Sequence, residues 1–302
     1  MEHSPVRISD EVRAAAADGL PILALESTIF THGLPHPRGL ETALAAEASV
    51  RGVGVVPATI GVVAGVPTVG LTSDEIERLA ATDAAKVSVR DLPPAVLRRL
   101  DGGTTVAATA WLAHRAGIRV FSTGGLGGVH RGASETFDES ADLGTLARTP
   151  ITVVSAGVKS ILDVAATLER LETLNIPVVG FRTTRYPGFY VADSGHAVEY
   201  SVDSAEEAAE LARIRDALGL ESAVLIANPV AADRQLDPAL HDRVLDEALA
   251  AAGSAGVTGH DITPFLLDHL QRATGGESLE VNLEVYRGNV ALGAEIARAI
   301  AG

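Results

Sequence analysis

Apolar residues arrive in two rhythms along this chain, short unbroken runs and longer stretches spaced by three and four, and the two alternate toward the carboxyl terminus. Pro21 to Leu25 is an unbroken run that stops at Glu26, which predicts a buried strand. Gly39 to Val50 places Leu40, Ala43, Leu44 and Ala48 at helical spacing, with Glu41 and Glu47 on other faces and Gly52 as a stop. Nothing ionisable occurs between Arg51 and Asp74, a length that could span a membrane. Pro57, Pro67 and five glycines interrupt it, however, and the runs Ile60 to Val63 and Val66 to Val69 around Ala64-Gly65 predict a buried β-hairpin instead. Thr72 and Glu75 have capping-box spacing ahead of Ile76, Leu79 and Ala80, so a helix starts there.

Farther on, the pattern predicts a short strand at Val87 to Val89, a short helix at Pro93 to Leu100, a helix at Thr105 to Ala116 and a strand at Ile118 to Phe121. Ser122 to Gly132 reads as a loop, with five glycines among eleven residues. Ile151 to Val154 is a strand, and Lys159 stands at the start of a helix from Ser160 to Leu174. Ile176 to Phe181, Ala205 to Leu218, Ala223 to Ala227 and Pro238 to Ala252 continue the alternation, and terminal helices fall around Pro264 to Gln271 and Val290 to Ala301. This order predicts an α/β fold, a mostly parallel sheet with helices on both faces and a small β-hairpin elaboration, in a single domain over residues 1–302. In such sheets ligands collect beyond the carboxyl ends of the strands, where Glu26, the glycine loop and Lys159 all fall.

Composition changes the picture in three ways. The 47% hydrophobic content with only 4% aromatic implies a core of Ala, Val and Leu. A net charge of −15 disfavours nucleic acid and anionic membrane partners. The absence of cysteine excludes disulfides, cysteine nucleophiles and thiolate metal sites, and the polar segment Met1 to Asp10 lacks a signal-peptide core, so a cytoplasmic location is expected.

The basic residues are 22 arginines and only two lysines, Lys86 and Lys159. Where arginine serves for most cations, a retained lysine marks a position where an amine matters, because only the amine can lose its proton and attack a carbonyl. Lys159 sits in Ser155-Ala156-Gly157-Val158-Lys159-Ser160-Ile161-Leu162, among small and apolar neighbours that would favour a neutral, nucleophilic amine; the alternative is a lysine whose head reaches water. Lys86 suits a phosphate contact or an ordinary solvated end of an element. Glu26, at the end of a buried run, is a candidate proton donor if burial keeps it protonated, or else an exposed strand end. Gly124-Gly125-Leu126-Gly127-Gly128 suggests close backbone approach to a ligand, but neither a Rossmann nor a Walker pattern fits. Gly102-Gly103-Thr104-Thr105 ahead of a helix reads either as a phosphate cradle or as a plain loop and N-cap. Asp138, Glu139 and Asp142 around Ser140 suit either a helix start or a hard divalent cation, and His32, His36 and His130 lie in loops.

Taken together these segments resemble the pseudouridine-5′-phosphate glycosidase family. The matching pieces include Ala24-Leu25-Glu26-Ser27-Thr28, Lys86-Val87-Ser88, the block from Thr123 to Gly132, Thr136-Phe137-Asp138, Ser140-Ala141-Asp142-Leu143, Lys159-Ser160-Ile161-Leu162-Asp163 and Thr274-Gly275-Gly276-Glu277-Ser278-Leu279. The resemblance implies reversible cleavage of the carbon–carbon glycosidic bond of pseudouridine 5′-phosphate to uracil and ribose 5-phosphate through a lysine Schiff base. It implies Lys159 as nucleophile, Glu26 as proton donor, and one divalent cation, Mn²⁺, at Asp138. Substrate contacts are implied at Lys86, Thr105, Val106, Ser140, Ala141 and Asp142, with Thr123, His130 and Asn282 as further pocket positions, and a homotrimer is expected. The segment Asn282 to Asn289 departs from the family pattern by carrying Gly288-Asn289 in place of a repeated Asn.

Overall fold

The computed structural model describes residues 6–257 and 262–302, so the first five residues of the polar amino terminus lie outside it. Its strands are β1 (Arg7–Ile8), β2 (Ile22–Leu25), β3 (Val56–Val63), β4 (Val66–Val69), β5 (Ala85–Val87), β6 (Gly102–Thr104), β7 (Val120–Ser122), β8 (Thr152–Ser155), β9 (Val178–Phe181), β10 (Tyr200–Val202) and β11 (Val224–Ala227). The helices are α1 (Asp10–Ala17), α2 (Arg38–Gly52), α3 (Ser73–Ala81), α4 (Leu92–Arg98), α5 (Val106–Arg115), α6 (Ala133–Thr136), α7 (Ala141–Leu146), α8 (Val164–Thr173), α9 (Ala205–Ala217), α10 (Pro238–Ser254), α11 (Ile262–Ala273) and α12 (Glu277–Ala301). None of the described helices is long and apolar enough to cross a membrane.

The eleven strands of the described residues join one sheet in the order β1-β4-β3-β2-β7-β8-β11-β9-β10, with β6 also paired to β3 and β5 to β6. Its pairs are parallel except β3–β4 and β3–β6. Successive side chains point to opposite faces, and each face has its own core. Ile22, Ala24, Val153 and Leu225 pack with residues of α5, α8 and α10, while Leu23, Leu25, Val154 and Ile226 pack with residues of α2, α9 and α12. Both faces of the central strands are therefore buried, which is why those strands read as unbroken apolar runs. Each fully buried Leu or Ile contributes about 1.5–3 kcal/mol.

The expected mostly parallel sheet with helices on both faces is present, and four local expectations change. The hairpin is there, turning at Ala64 (φ 49°) and Gly65 (φ 81°), but it is no appendage: β3 also pairs with β2 and β6 inside the sheet. Gly102 to Thr104 is a strand rather than a loop, because β5 and β3 supply partners on both sides. The last helix is 25 residues long and begins at Glu277, so the segment Asn282 to Asn289 is helical. Its periodicity is hidden because Val281, Leu283, Val285, Tyr286 and Asn289 are all buried, on more than one face. Lys159 does not open a helix; α8 begins only at Val164, after a loop held by the glycine block.

Candidate active site

Beyond the carboxyl ends of β2, β7 and β8 lies a cavity of about 620 Å³, and Glu26, Lys86, Thr105, Ser140, Lys159 and Asn282 all line it. These residues are scattered over 257 positions of sequence and meet only in the folded chain. Glu26 follows β2, Lys159 follows β8, Lys86 lies in β5, Thr105 and Ser140 cap α5 and α7, and Asn282 projects from α12.

The β2–β7 register pairs Leu25 with Ser122, so the next step brings Glu26 level with Thr123. The Thr123 hydroxyl donates to Oε1 of Glu26, and the Thr28 hydroxyl donates to Oε2 at 2.6 Å. Burial pushes the Glu26 carboxyl above its usual range; Lys159 and the two threonines pull it back only in part. A buried carboxyl held at both oxygens is fixed in place and biased toward carrying a proton. Thr123 is fixed in turn: Asn289 Nδ2 donates to the Thr123 carbonyl at 2.8 Å and to that of Gly124 at 3.1 Å, while Asn289 Oδ1 accepts from Asn228 at 3.0 Å.

Lys159 is carried by a loop laced to the glycine block. Its N–H donates to the Leu126 carbonyl at 3.1 Å, the Leu126 N–H donates to Gly157 at 2.9 Å, and Asp163 N–H donates to Val129 at 2.9 Å. Asp163 then caps α8 by accepting from Ala166 N–H at 2.9 Å. Main-chain pairing with the block is thus what keeps residues 156–163 out of a helix. The glycines are required by their neighbours: a Cβ on Gly125 would lie 2.6 Å from the Phe189 ring, and one on Gly127 would lie 2.7 Å from Asp142 Oδ2.

A cationic end of the cavity is formed by Lys86 and the first turn of α5. The surrounding protein and then the charge of Lys159 push the Lys86 ammonium below the usual lysine range. In α5, the Ala107 N–H goes to Asp142 Oδ1 (2.9 Å) and the Ala108 N–H to the Thr105 hydroxyl (3.4 Å), leaving the Val106 N–H without an acceptor among the described residues. Free amide and helix dipole both favour an anion there. Ser88 lines the same cavity, and its N–H donates to Asp91 Oδ2 at 3.0 Å.

Several expected contacts fall elsewhere. Asp142 is buried, and its two oxygens are taken by Ala107 N–H and Gly127 N–H (2.8 Å), so it braces the site instead of lining it. Thr123 likewise acts through Glu26. The Val106 side chain is buried, and Ala141 is exposed at the start of α7, neither lining the cavity. His130 and Asp138 stand together, Nδ1 to Oδ2 3.9 Å, apart from the lining residues. Burial lowers the His130 pKa, Asp138 opposes this, and both lysines add to it, so the pair lies within electrostatic reach of the cavity. Among the described residues no group of three or more His, Asp or Glu is arranged to hold a metal.

The sequence reading missed Phe189, Thr263 and Leu267, all of which line the cavity. Phe189 sits at φ 67° in an irregular segment with no periodicity, so nothing local marks it. Thr28 was detectable in principle, two residues after a carboxylate at a strand end.

Comparison with known proteins adds to this geometry. A family model described as "Indigoidine synthase A like protein" matches residues 11–299. A protein of Saccharopolyspora erythraea named pseudouridine-5′-phosphate glycosidase is 69% identical over 296 residues, covering 98% of each chain. One of the same name from Streptomyces griseus is 58% identical over 296 residues, covering 97% of this chain and 92% of that one. Among solved structures, the prealnumycin C-glycosynthase AlnA in complex with ribulose 5-phosphate superposes with a TM-score of 0.91 at 38% identity, covering 98% of this chain and 97% of that one. An indigoidine synthase A-like protein of Thermotoga maritima superposes with a TM-score of 0.90 at 35% identity, covering 100% and 99%.

Proposed function

The chain belongs to the indigoidine synthase A like family together with the pseudouridine-5′-phosphate glycosidases that it matches from end to end, and on that premise we propose that it cleaves pseudouridine 5′-phosphate to uracil and ribose 5-phosphate. The observation that carries this reading is that one cavity holds both the Lys159 amine and a buried Glu26 whose carboxyl burial pushes above its usual range. A carbon-linked base is a poor leaving group for simple hydrolysis, and an amine provides a covalent route.

In this mechanism the Lys159 Nζ lone pair attacks C1′ of the sugar. The C1′–O4′ bond breaks, and O4′ takes the proton of Glu26. The Glu26 carboxylate then removes a proton from the new secondary ammonium. The nitrogen lone pair forms C1′=N as the bond from C1′ to uracil C5 breaks, and C5 is protonated by Glu26. Water adds to the resulting iminium as the Glu26 carboxylate takes a proton from it, and collapse of the adduct frees ribose 5-phosphate and restores the amine. The reverse sequence makes the bond, with the iminium accepting electrons from uracil C5. Lys86 and the start of α5 would bind the 5′-phosphate, and Asn282 and Phe189 would flank the base.

The family resemblance also implies Mn²⁺ at Asp138. One partly exposed carboxylate beside a histidine fits a hard cation that keeps most of its water, and does not fit a closed protein cage. Asp138 would hold such an ion, which supplies positive charge to a bound phosphate. The homotrimer and the cytoplasmic location stand as proposals on the same footing, and analytical ultracentrifugation tests the first.

The decisive experiment is incubation with ribose 5-phosphate and borohydride followed by peptide mass analysis, alongside uracil release from pseudouridine 5′-phosphate. A reduced sugar adduct on the peptide containing Lys159 is expected. Uracil release without any adduct would remove the covalent step.

A further inference from the structure

The pair Gly288-Asn289, where this chain departs from the family's repeated Asn, lies within α12, and its two positions differ in surroundings. Gly288 is exposed, and a Cβ built there would meet Asn228 Nδ2 at 3.8 Å, an ordinary contact. Asn289 is 1% exposed and does not line the cavity, yet both polar atoms of its side chain are bonded.

Carbonyl oxygens can only accept, so the amide nitrogen of Asn289 is the atom that faces Thr123 and Gly124, and its oxygen is left for Asn228. Asn228 follows β11, and its own N–H donates to the Ser155 carbonyl at the end of β8, at 2.8 Å. The Ser122 hydroxyl donates to the Asn289 carbonyl at 2.9 Å. One buried residue thus ties α12 to the ends of β7 and β11, and through Asn228 to β8. The two carbonyls it holds belong to Thr123, whose hydroxyl donates to Glu26, and to Gly124, which lines the cavity.

We propose that Asn289, oriented by Asn228, is a positioning residue for the acid: it sets the Thr123 hydroxyl against Glu26 without touching substrate, and position 288 has no part in this. Its consequence for turnover rests on the reading of Glu26 as proton donor; its effect on the Glu26 carboxyl does not. The Thr123 bond favours the charged carboxylate, so loosening it raises the Glu26 pKa. Glu26 also lies within electrostatic reach of Lys159 after β8, Lys86 in β5, Asp142 in α7 and Tyr286 in α12, all of which stay in place in the variants below.

The test follows the Glu26 carboxyl carbon by ¹³C NMR in the full chain without substrate, its resonance identified by loss in Glu26→Gln. Asn289→Leu keeps the shape of the side chain, excludes water and removes the N–H donors, and the midpoint of the Glu26 titration should move upward. Combined with Thr123→Val it should move no further than in Thr123→Val alone, because Asn289 acts through Thr123. Asn228→Ala, at a half-buried position, should move it the same way by less, and keeps the readout available should Asn289→Leu fail to fold. In uracil release from pseudouridine 5′-phosphate, Asn289→Leu should lower kcat about tenfold, while Gly288→Asn should match the natural chain. A midpoint that stays or falls, shifts that add in the double variant, or a Gly288→Asn as slow as Asn289→Leu would each overturn the proposal. Failure of the natural chain to release uracil would overturn the proposed reaction alone, and the titration still decides the role of Asn289.

Discussion

The hydroxyl of Thr123 donates to Oε1 of Glu26, tying the residue that follows β7 to the residue that follows β2. That bond lowers the Glu26 pKa against the larger effect of burial. Removing it in Thr123→Val raises the pKa further, so Glu26 stays protonated to higher pH and the alkaline limb of kcat/KM moves upward. Turnover should fall about tenfold as the carboxyl loses one anchor, and Thr123→Ser should restore both properties. A pH profile that does not move would separate Thr123 from the acid.

Lysine and arginine should part company at the two lysine positions. Lys159→Arg removes the only group in the proposed mechanism that can form an imine, and turnover should drop by a factor on the order of 10⁴ or more. Lys86→Arg keeps a cation against phosphate and should mainly raise KM, with kcat changed little. Steady-state kinetics of the two variants checks this split.

Asp142 accepts from Ala107 N–H and Gly127 N–H, so it joins the start of α5 to the glycine block. In Asp142→Asn one side-chain oxygen becomes an NH₂ facing an N–H, which should cost about 2–3 kcal/mol. Denaturant unfolding measures that loss, and KM should rise with it because the same turn of α5 borders the cavity. Loss of substrate affinity with stability unchanged would instead mark Asp142 as a direct ligand.

Glu47, which does not line the cavity, offers a second buried carboxyl. It is buried on α2, accepts from Thr59 at 2.6 Å, and burial raises its pKa despite Thr59 and Arg51. The folded state therefore binds more protons than the unfolded one above the ordinary carboxylate pKa, and Glu47 costs stability as pH rises through that range. Glu47→Gln should melt higher than the natural chain, by a margin that widens as pH rises from about 4.5 and levels off once the folded-state carboxyl has ionised. Melting curves across that range, with activity as the check on the site, decide it.

Much of this architecture was legible from local pattern. The central strands read as apolar runs because both their faces are buried, and the capping box at Thr72 and Glu75 is formed as its spacing predicted. The candidates Glu26, Lys86, Lys159 and Asn282 do share one cavity. Short strands such as β6, β10 and β1 were not legible, since two or three residues gain their order from neighbouring strands and not from their own composition.

Sequence by itself determined the alternation of strand and helix, the scarcity of lysine and the chemistry available to the chain, because propensity, burial pattern and side-chain reactivity are local properties. Tertiary structure alone decided which polar groups line the cavity and which brace those that do. Asp142 and Thr123 are turned inward by partners 15 and 97 residues away, and the loop of Lys159 is kept out of a helix by main-chain bonds to the glycine block. Such assignments depend on where distant N–H and carbonyl groups find their partners, which no window of sequence contains.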